Sequence, residues 1–226
     1  MPKTQNPVAA GVSPPRFGEV TIRNRGHLPH WEAEGSTYFV TFHLADSLPR
    51  AVLEAWLAER KDILKRTRPL TVAEKKRLQE LFSQKVDACL DAGKGACLLA
   101  RPGIAGLIRD ALLHFDGQRY RLFAWCVMPN HVHVVFRPLR GYRLAEILHS
   151  WKPYTARTVN LHLGLRGAFW QREYYDHLIR NEEEFRSILR YVMENPVKAN
   201  LMDWPWVGVR GQDALATAGE DAGATS

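Results

Sequence analysis

The sequence has few of the features that mark secreted, membrane-bound or ATP-dependent proteins. Only three cysteines occur among its 226 residues, and none stands in a Cys-x-x-Cys pair. A disulfide framework or a cysteine-based zinc site is therefore not expected, and a reducing, cytoplasmic location fits the sequence. No apolar run reaches the roughly 18 residues that a membrane-spanning helix needs. The Gly-x-x-x-x-Gly-Lys-[Ser/Thr] motif of ATP-binding loops is also missing.

The composition indicates a folded, basic protein. Hydrophobic residues make up 46% of the chain and aromatic residues 10%, which excludes a wholly disordered polypeptide. Lysine and arginine together number 31 against 24 aspartates and glutamates, for a formal net charge of +7. This surplus favours a polyanionic partner such as a nucleic acid.

The length predicts a single folded domain between two unstructured ends. We interpret residues 1–15 as a flexible, proline-containing leader. Residues 208–226 are rich in Ala, Gly, Asp and Thr, which predicts a disordered tail. Residues 16–207 then form the folded domain, with a helical insertion at about 48–116.

Alternating and helical hydrophobic patterns predict an α+β fold. Two strand-like segments, residues 120–128 and 131–137, are separated by Pro129 and Asn130, a pair typical of a tight turn. Pro153 is expected to kink or end the helix that precedes it. The order of the elements predicts a ferredoxin-like antiparallel sheet with helices packed on one face. Further strands are expected at 36–45 and within 169–179, and helices at 48–65, 71–93, 104–115, from Leu144 and after Asn181.

His131 and His133 form the sharpest local motif. In a strand, residues i and i+2 point to the same face, so both imidazoles point the same way and could share one metal ion. On spacing alone, however, a His-x-His pair in a strand is more often structural. Two ligands are also fewer than the three that a catalytic metal site usually takes from the protein.

The last predicted helix offers a second pair of polar residues. Tyr191 and Asn195 are four residues apart and lie on one flank of its apolar stripe, where they can face a site on the sheet. Two alternatives stay open. Asn195 precedes Pro196 and can simply mark the end of the helix, and Tyr191 can be a half-buried aromatic with its hydroxyl in water.

Four sequence blocks resemble the single-tyrosine HUH transposases, and among them the REP-associated tyrosine transposases, which are linked to repetitive extragenic palindromes. The resemblance runs from about Thr21 to Trp206. A chance match to His-x-His is common, whereas a chance match to all four blocks in the same order is not. The blocks are residues 128–133 (MPNHVH), 167–171 (GAFWQ), 175–180 (YDHLIR) and 191–198 (YVMENPVK).

The resemblance implies a metal-dependent transposase that cuts and rejoins single-stranded DNA beside palindromic hairpins. His131 and His133 would bind a divalent metal, Mg or Mn. Asn195 would be the third ligand, at the place where relatives carry Gln or Asn. Tyr191 would be the nucleophile that attacks phosphorus and forms a 5′-phosphotyrosine intermediate.

Residues around these blocks are expected to support the site. By resemblance only, Asp176 and His177 would lie nearby and orient a ligand or the tyrosine, and a purely structural corner is an equally good interpretation. Single-stranded DNA is commonly held by basic side chains on its phosphates and aromatic rings on its bases. The alternative is that Phe169 and Trp170 are core residues. The expected DNA-binding residues are Lys152, Arg157, Trp170, Arg172, Arg180, Arg190 and Lys198.

Two other functions stay open from the sequence. One is a ferredoxin-like nucleic-acid-binding module without strand cleavage, and the other is a metallohydrolase that uses water as its nucleophile. A metal-dependent covalent adduct that disappears in Tyr191→Phe would separate the transposase from both. A monomer and a homodimer are both compatible with the resemblance.

Overall fold

The computed structural model describes residues 21–25, 28–32, 35–64 and 86–210. The predicted leader, most of the helix predicted at 71–93 and residues 211–226 lie outside the described residues. No helix in the described ranges combines the length and apolarity needed to cross a membrane. The strands are β1 (Thr21–Arg25), β2 (Leu28–Glu32), β3 (Tyr38–His43), β4 (Tyr120–Val127), β5 (His131–Pro138), β6 (Tyr175–Leu178) and β7 (Val207–Val209). The helices are α1 (Arg50–Leu64), α2 (Ala88–Asp91), α3 (Pro102–His114), α4 (Leu144–Leu163) and α5 (Glu182–Lys198), with a 3-10 turn at Leu98–Ala100.

Five strands form one antiparallel sheet in the order β6-β3-β5-β4-β7. Helices α1 to α3 lie between β3 and β4, and α4 lies between β5 and β6, which gives the β-α-β-β-α-β succession of ferredoxin-like folds. The predicted turn at Pro129 and Asn130 is closed by a 2.8 Å hydrogen bond from Met128 N to His131 O. The predicted α+β class with an antiparallel sheet is confirmed.

Alternate residues of the central strands lie on opposite faces of this sheet, and different helices cover the two faces. Val40, Val134 and Phe136 belong to a core cluster with residues of α3 and α4. Their neighbours Phe39 and Val135 belong to a second cluster with residues of α5. The helices α3 and α4 therefore share one face, as predicted. The closing helix α5 covers the opposite face, which the sequence pattern did not reveal.

Helix α4 runs through Pro153 instead of ending there. Proline cannot donate a hydrogen bond to the carbonyl four residues earlier, which costs a helix about 3 kcal/mol. Buried residues on both sides of the proline, among them Trp151 and Thr155, pack on the same face of the sheet. Tertiary packing thus outweighs the local penalty, as it does for most helices.

The predicted disordered tail begins too early. Gly208 and Val209 belong to β7, which pairs with β4 from Ala124 to Cys126. Arg210 N extends this pairing with a 2.8 Å hydrogen bond to Phe123 O. Without β7, the edge of β4 would expose unpaired backbone groups. The short segment Val207–Val209 pairs with them, although the sequence that follows it is polar.

Alanine substitutions at two glycines are expected to change the free energy of unfolding in opposite directions. In Gly106→Ala, the new Cβ would lie 3.5 Å from the Trp206 ring, an ordinary contact, so the better helix propensity should add about 0.5–1 kcal/mol to the free energy of unfolding. In Gly208→Ala, the Cβ would approach the Trp125 ring to 2.8 Å, which should cost about 1–3 kcal/mol. Chemical denaturation of both variants tests this. Equal effects of the two substitutions would contradict the packing described here.

Candidate active site

The histidine pair lies at the end of β5, on the face that α5 covers. His131 and His133 are fully buried, and their Nε2 atoms are 2.9 Å apart. Both rings project from the same face because they are two residues apart in a strand. The sequence prediction of their common direction is confirmed by this geometry.

Hydrogen bonds on the far side of each ring set its orientation. Asn130 Nδ2 donates to the carbonyls of Leu90 and Lys94, each at 3.0 Å. This fixes Asn130 Oδ1 as the atom that faces His131 Nδ1, at 2.7 Å. Because an amide oxygen only accepts, His131 carries its proton on Nδ1 and presents a lone pair at Nε2. His133 Nδ1 lies 2.8 Å from Thr41 Oγ1, and a hydroxyl can accept its proton in the same way.

Two aspartates from the segment around α2 face the histidines. Asp87 Oδ1 lies 3.9 Å from His133 Nε2, and Asp91 Oδ1 lies 3.8 Å from His131 Nε2. Neither of these buried oxygens has a hydrogen-bond partner among the described residues. Burial raises the pKa of both carboxyls to about 6, and Lys198 opposes this rise. The two histidine Nε2 atoms and the two aspartate Oδ1 atoms therefore lie close together, with too few hydrogen-bond donors among the described residues for all of them.

This arrangement fits a divalent cation. One ligand atom each from Asp87, His131 and His133 lie within 4.8 Å of one another. Two ligands about 2.1 Å from one ion at an octahedral right angle are about 3 Å apart, close to the separation of the two Nε2 atoms. An ion would also supply the partner that the buried aspartate oxygens need.

Tyr191 reaches the same place from α5. Its hydroxyl donates a hydrogen bond to Asp87 Oδ2. Its ring lies edge-on to those of His133 and Phe39, with centroid distances of 5.4 Å and 5.8 Å. Burial is the main cause that raises the pKa of the phenol, and the charges of Asp87 and Asp91 add to it. The hydroxyl is therefore directed at the acidic group and not at open water.

Asn195 lies one turn beyond Tyr191 and is fully buried. Its carboxamide lowers the pKa of Tyr191, yet neither Oδ1 nor Nδ2 lies within 3.5 Å of a suitably placed partner in the described part of the chain. Helix α5 continues to Lys198, so Asn195 does not end the helix. A buried amide with free capacity, one turn from Tyr191, agrees with a ligand role that stays a prediction.

The predicted supporting pair Asp176 and His177 divides between the two faces of the sheet. His177 pairs with Phe39 in the register and lies on the histidine face. Its Nε2 is 2.8 Å from Glu184 Oε1, and Glu184 also accepts from Arg180 N. His177 thus anchors β6 to the start of α5. Asp176 pairs with Val40 and projects from the opposite face, so it does not point toward the metal-binding group.

The expected DNA-binding residues differ in exposure. Trp170 is 6% exposed and donates from Nε1 to Thr155 Oγ1, which supports the alternative that it is a core residue. Lys152 is largely buried and donates to the carbonyls of Gln171 and Arg172. Burial lowers its pKa to about 8. The others lie on the surface: Arg157, Arg172, Arg180, Arg190 and Lys198.

Another buried histidine makes the stability of the protein depend on pH. His43 donates from Nδ1 to Ser47 Oγ and Leu44 O. Burial is the main cause that lowers its pKa to about 4, and Lys152 contributes. Because an unfolded histidine titrates near 6.5, acid protonates the unfolded state first, and the stability that neutral His43 preserves above pH 6.5 is lost as pH falls toward 4.

We therefore expect wild type to lose about 1.6 kcal/mol of unfolding free energy relative to His43→Gln between pH 6.5 and pH 5, because the slope rises toward about 1.4 kcal/mol per pH unit below pH 6.5. Urea denaturation of both proteins at each pH, with a chelator present, measures the difference. A constant difference would show that His43 titrates normally in the folded state.

Sequence reasoning missed Asp87 and Asp91, although the sequence carried a signal. The two aspartates are four residues apart and thus share a helix face, and they border Val86 and Leu90, which are buried. Carboxylates at the edge of an apolar stripe are candidates for a site beneath the helix, the same argument that identified Tyr191 and Asn195.

The fold and these residues together define a class of site. A ferredoxin-like antiparallel sheet carries a buried Asp/His/His group that could bind a metal, and a helix-borne tyrosine donates to its carboxylate. Such a site suits metal-assisted chemistry with a tyrosine close at hand.

The comparisons with known proteins agree with this class. The family model described as "Transposase IS200 like" matches residues 113–195, which include both histidines, Tyr191 and Asn195. A REP-associated tyrosine transposase of Escherichia coli K12 is 27% identical over 105 residues, which cover 44% of this chain and 61% of the relative. A putative REP-associated tyrosine transposase of Haemophilus influenzae is 26% identical over 101 residues, which cover 38% of this chain and 57% of the relative.

These matches confirm the predicted resemblance to REP-associated tyrosine transposases. The chain thus spans 61% and 57% of the length of these curated relatives. Among solved structures, a REP-associated tyrosine transposase bound to a REP hairpin aligns with a TM-score of 0.45 and 19% identity, over 79% of each chain.

Proposed function

We propose that this protein is a metal-dependent transposase that cuts and rejoins single-stranded DNA beside palindromic hairpins. The observation that carries the proposal is the hydrogen bond between the Tyr191 hydroxyl and Asp87, beside two histidines whose Nε2 atoms lie 2.9 Å apart. A nucleophile and a metal-binding group are thereby adjacent within one chain. We therefore propose that one subunit can supply the metal ligands and the nucleophile of a single reaction.

The proposed chemistry starts from the phenol. Bound Mg or Mn would polarise a non-bridging oxygen of the scissile phosphate and stabilise the developing charge. Tyr191 loses its phenolic proton and its oxygen forms a bond to phosphorus, while the bond from phosphorus to the 3′ oxygen breaks. The leaving 3′ oxygen takes up a proton, so the products are a 5′-phosphotyrosine and a strand with a free 3′-hydroxyl. The reverse reaction with another 3′-hydroxyl rejoins DNA without ATP.

His131, His133 and Asn195 are the proposed metal ligands. The hydrogen bond from His131 Nδ1 to Asn130 fixes the tautomer that ligation requires. Carboxamide oxygen is a hard ligand that suits Mg or Mn. Asn195 Oδ1 is buried and has no hydrogen-bond partner in the described ranges, which supports its inclusion.

The proposed substrate follows from the relatives and from surface charge. The names of both curated relatives associate them with REP elements. Lys198 Nζ lies 5.1 Å from the centre of the Tyr191 ring, so a cation stands beside the nucleophile. The exposed Arg157, Arg172, Arg180 and Arg190 are proposed to bind phosphates farther along the strand.

The direct test is covalent capture of DNA on a denaturing gel. The chain would be incubated with Mg or Mn and a labelled oligonucleotide that carries a palindromic hairpin with single-stranded flanks, taken from the palindromes beside its own gene. We expect a protein band that carries the label only when metal is present. Binding without an adduct on any such hairpin would favour the module without strand cleavage. Cleavage without an adduct would favour water as the nucleophile.

A further inference from the structure

We propose that Asp87 serves the metal and the nucleophile at the same time. In this assignment, Oδ1 ligates the divalent ion beside the histidines, and Oδ2 accepts the hydrogen bond of the Tyr191 hydroxyl. Occupancy of the metal site is thereby coupled to the position of the phenol. The inference rests on the proposed function for its catalytic meaning, although the coupling itself is a property of the protein without DNA.

The two oxygens of Asp87 have separate surroundings. Oδ2 accepts from Tyr191. Oδ1 is buried, lacks a hydrogen-bond partner among the described residues and lies 3.9 Å from His133 Nε2. A carboxylate oxygen buried in this way requires a cation or a donor. A cation bound beside the two Nε2 atoms would meet this requirement. The phenol cannot act as the donor, because its proton is already donated to Oδ2.

Asp87 is held in this position from two sides. Its neighbours Val86 and Leu90 are each 1% exposed and pack in a small cluster with Leu48. Asn130, which orients His131, also donates to the carbonyl of Leu90. The acidic segment and the histidine strand are therefore joined through one buried amide. A carboxylate held so firmly does not have to be ordered when the metal or the substrate binds.

The chemistry explains why a carboxylate suits this position. Mg and Mn prefer oxygen ligands, and two imidazoles alone make a poor site for them. The hydrogen bond from the hydroxyl to Oδ2 fixes the torsion of the phenol, which directs a lone pair of its oxygen away from the carboxylate. The family model begins at residue 113, so Asp87 belongs to the predicted insertion and not to the matched region.

The inference is tested first by metal binding without DNA. Asp87→Asn keeps the size of the side chain but removes its charge, and we expect affinity for Mn²⁺ in isothermal titration calorimetry to fall at least about 10- to 100-fold, the loss seen when even a hydrogen-bond partner of a metal ligand is removed. Asp110→Asn on α3 is the matched control and should bind Mn²⁺ as wild type does. Circular dichroism verifies folding, and Asp87→Ser serves as a second variant. Wild-type affinity in both Asp87 variants would overturn the ligand assignment.

The coupling to the phenol has its own readout. In protein labelled with ¹³C at the tyrosine Cζ atoms, Tyr191→Phe identifies the Tyr191 resonance, and saturating Mg²⁺ is expected to shift it in wild type. Asp87→Asn at saturating Mg²⁺ should abolish the shift. A shift that persists in Asp87→Asn would overturn the coupling. If Mg²⁺ moves the resonance through Asp87 but no DNA adduct ever forms, the proposed function fails while the inference stands.

Discussion

Tyr191→Phe is expected to form no covalent adduct with DNA and to cut it at a rate lower by a factor on the order of 10⁴ or more. The variant lacks only the hydroxyl that donates to Asp87, so the ring can keep its edge-on contacts with Phe39 and His133. The chemical step loses the atom that bonds to phosphorus. The measurement is a denaturing gel with a 5′- and 3′-labelled hairpin oligonucleotide, followed over time with Mn or Mg.

The matched control is Tyr154→Phe. Tyr154 is 59% exposed on α4, which packs on the opposite face of the sheet, so adduct formation should be unchanged. Tyr191→Phe should also retain Mn²⁺ binding, because the phenol is not a proposed ligand. Metal-dependent cleavage at the wild-type rate in Tyr191→Phe would exclude a tyrosine nucleophile and leave activated water as the alternative.

The parts of this site that depend on local geometry could be predicted from the sequence. Strand alternation placed His131 and His133 on one face, and the spacing of four residues placed Tyr191 and Asn195 on one flank of a helix. Both arguments use the fixed periods of strands and helices. They require no knowledge of how distant segments meet. The turn at Pro129 and Asn130 followed in the same way from the torsional preferences of its residues.

The parts that depend on docking between distant segments could not be predicted. Asp87 meets Tyr191 only because the segment around α2 packs onto the sheet, and these residues are 104 positions apart in the sequence. Asn130 was interpreted as a turn residue, whereas its side chain also joins that segment to His131. Trp170 could not be assigned for a related reason, since an aromatic residue in a basic region suits DNA binding or a core until its burial is known.

The double variant His131→Ala, His133→Ala is expected to lose the stabilisation that Mn²⁺ gives to wild type. At a free concentration about 100 times its dissociation constant, a ligand that binds only the folded state adds about 2.7 kcal/mol to the free energy of unfolding. In a domain of this size that raises the melting temperature by about 5–10 °C. The double variant should show almost no rise, because both nitrogen ligands are gone.

Each protein is compared with its own metal-free melting temperature, so the packing lost with two buried imidazoles does not enter the result. His162→Ala is the control, since His162 is exposed near the end of α4 and its loss should leave the rise caused by Mn²⁺ unchanged. A full rise in the double variant would place the ion elsewhere, and the 2.9 Å approach of the two Nε2 atoms would then reflect a shared proton. Loss of the rise together with loss of the DNA adduct would instead assign both properties to one site, in which the same two imidazoles hold the ion that the reaction needs.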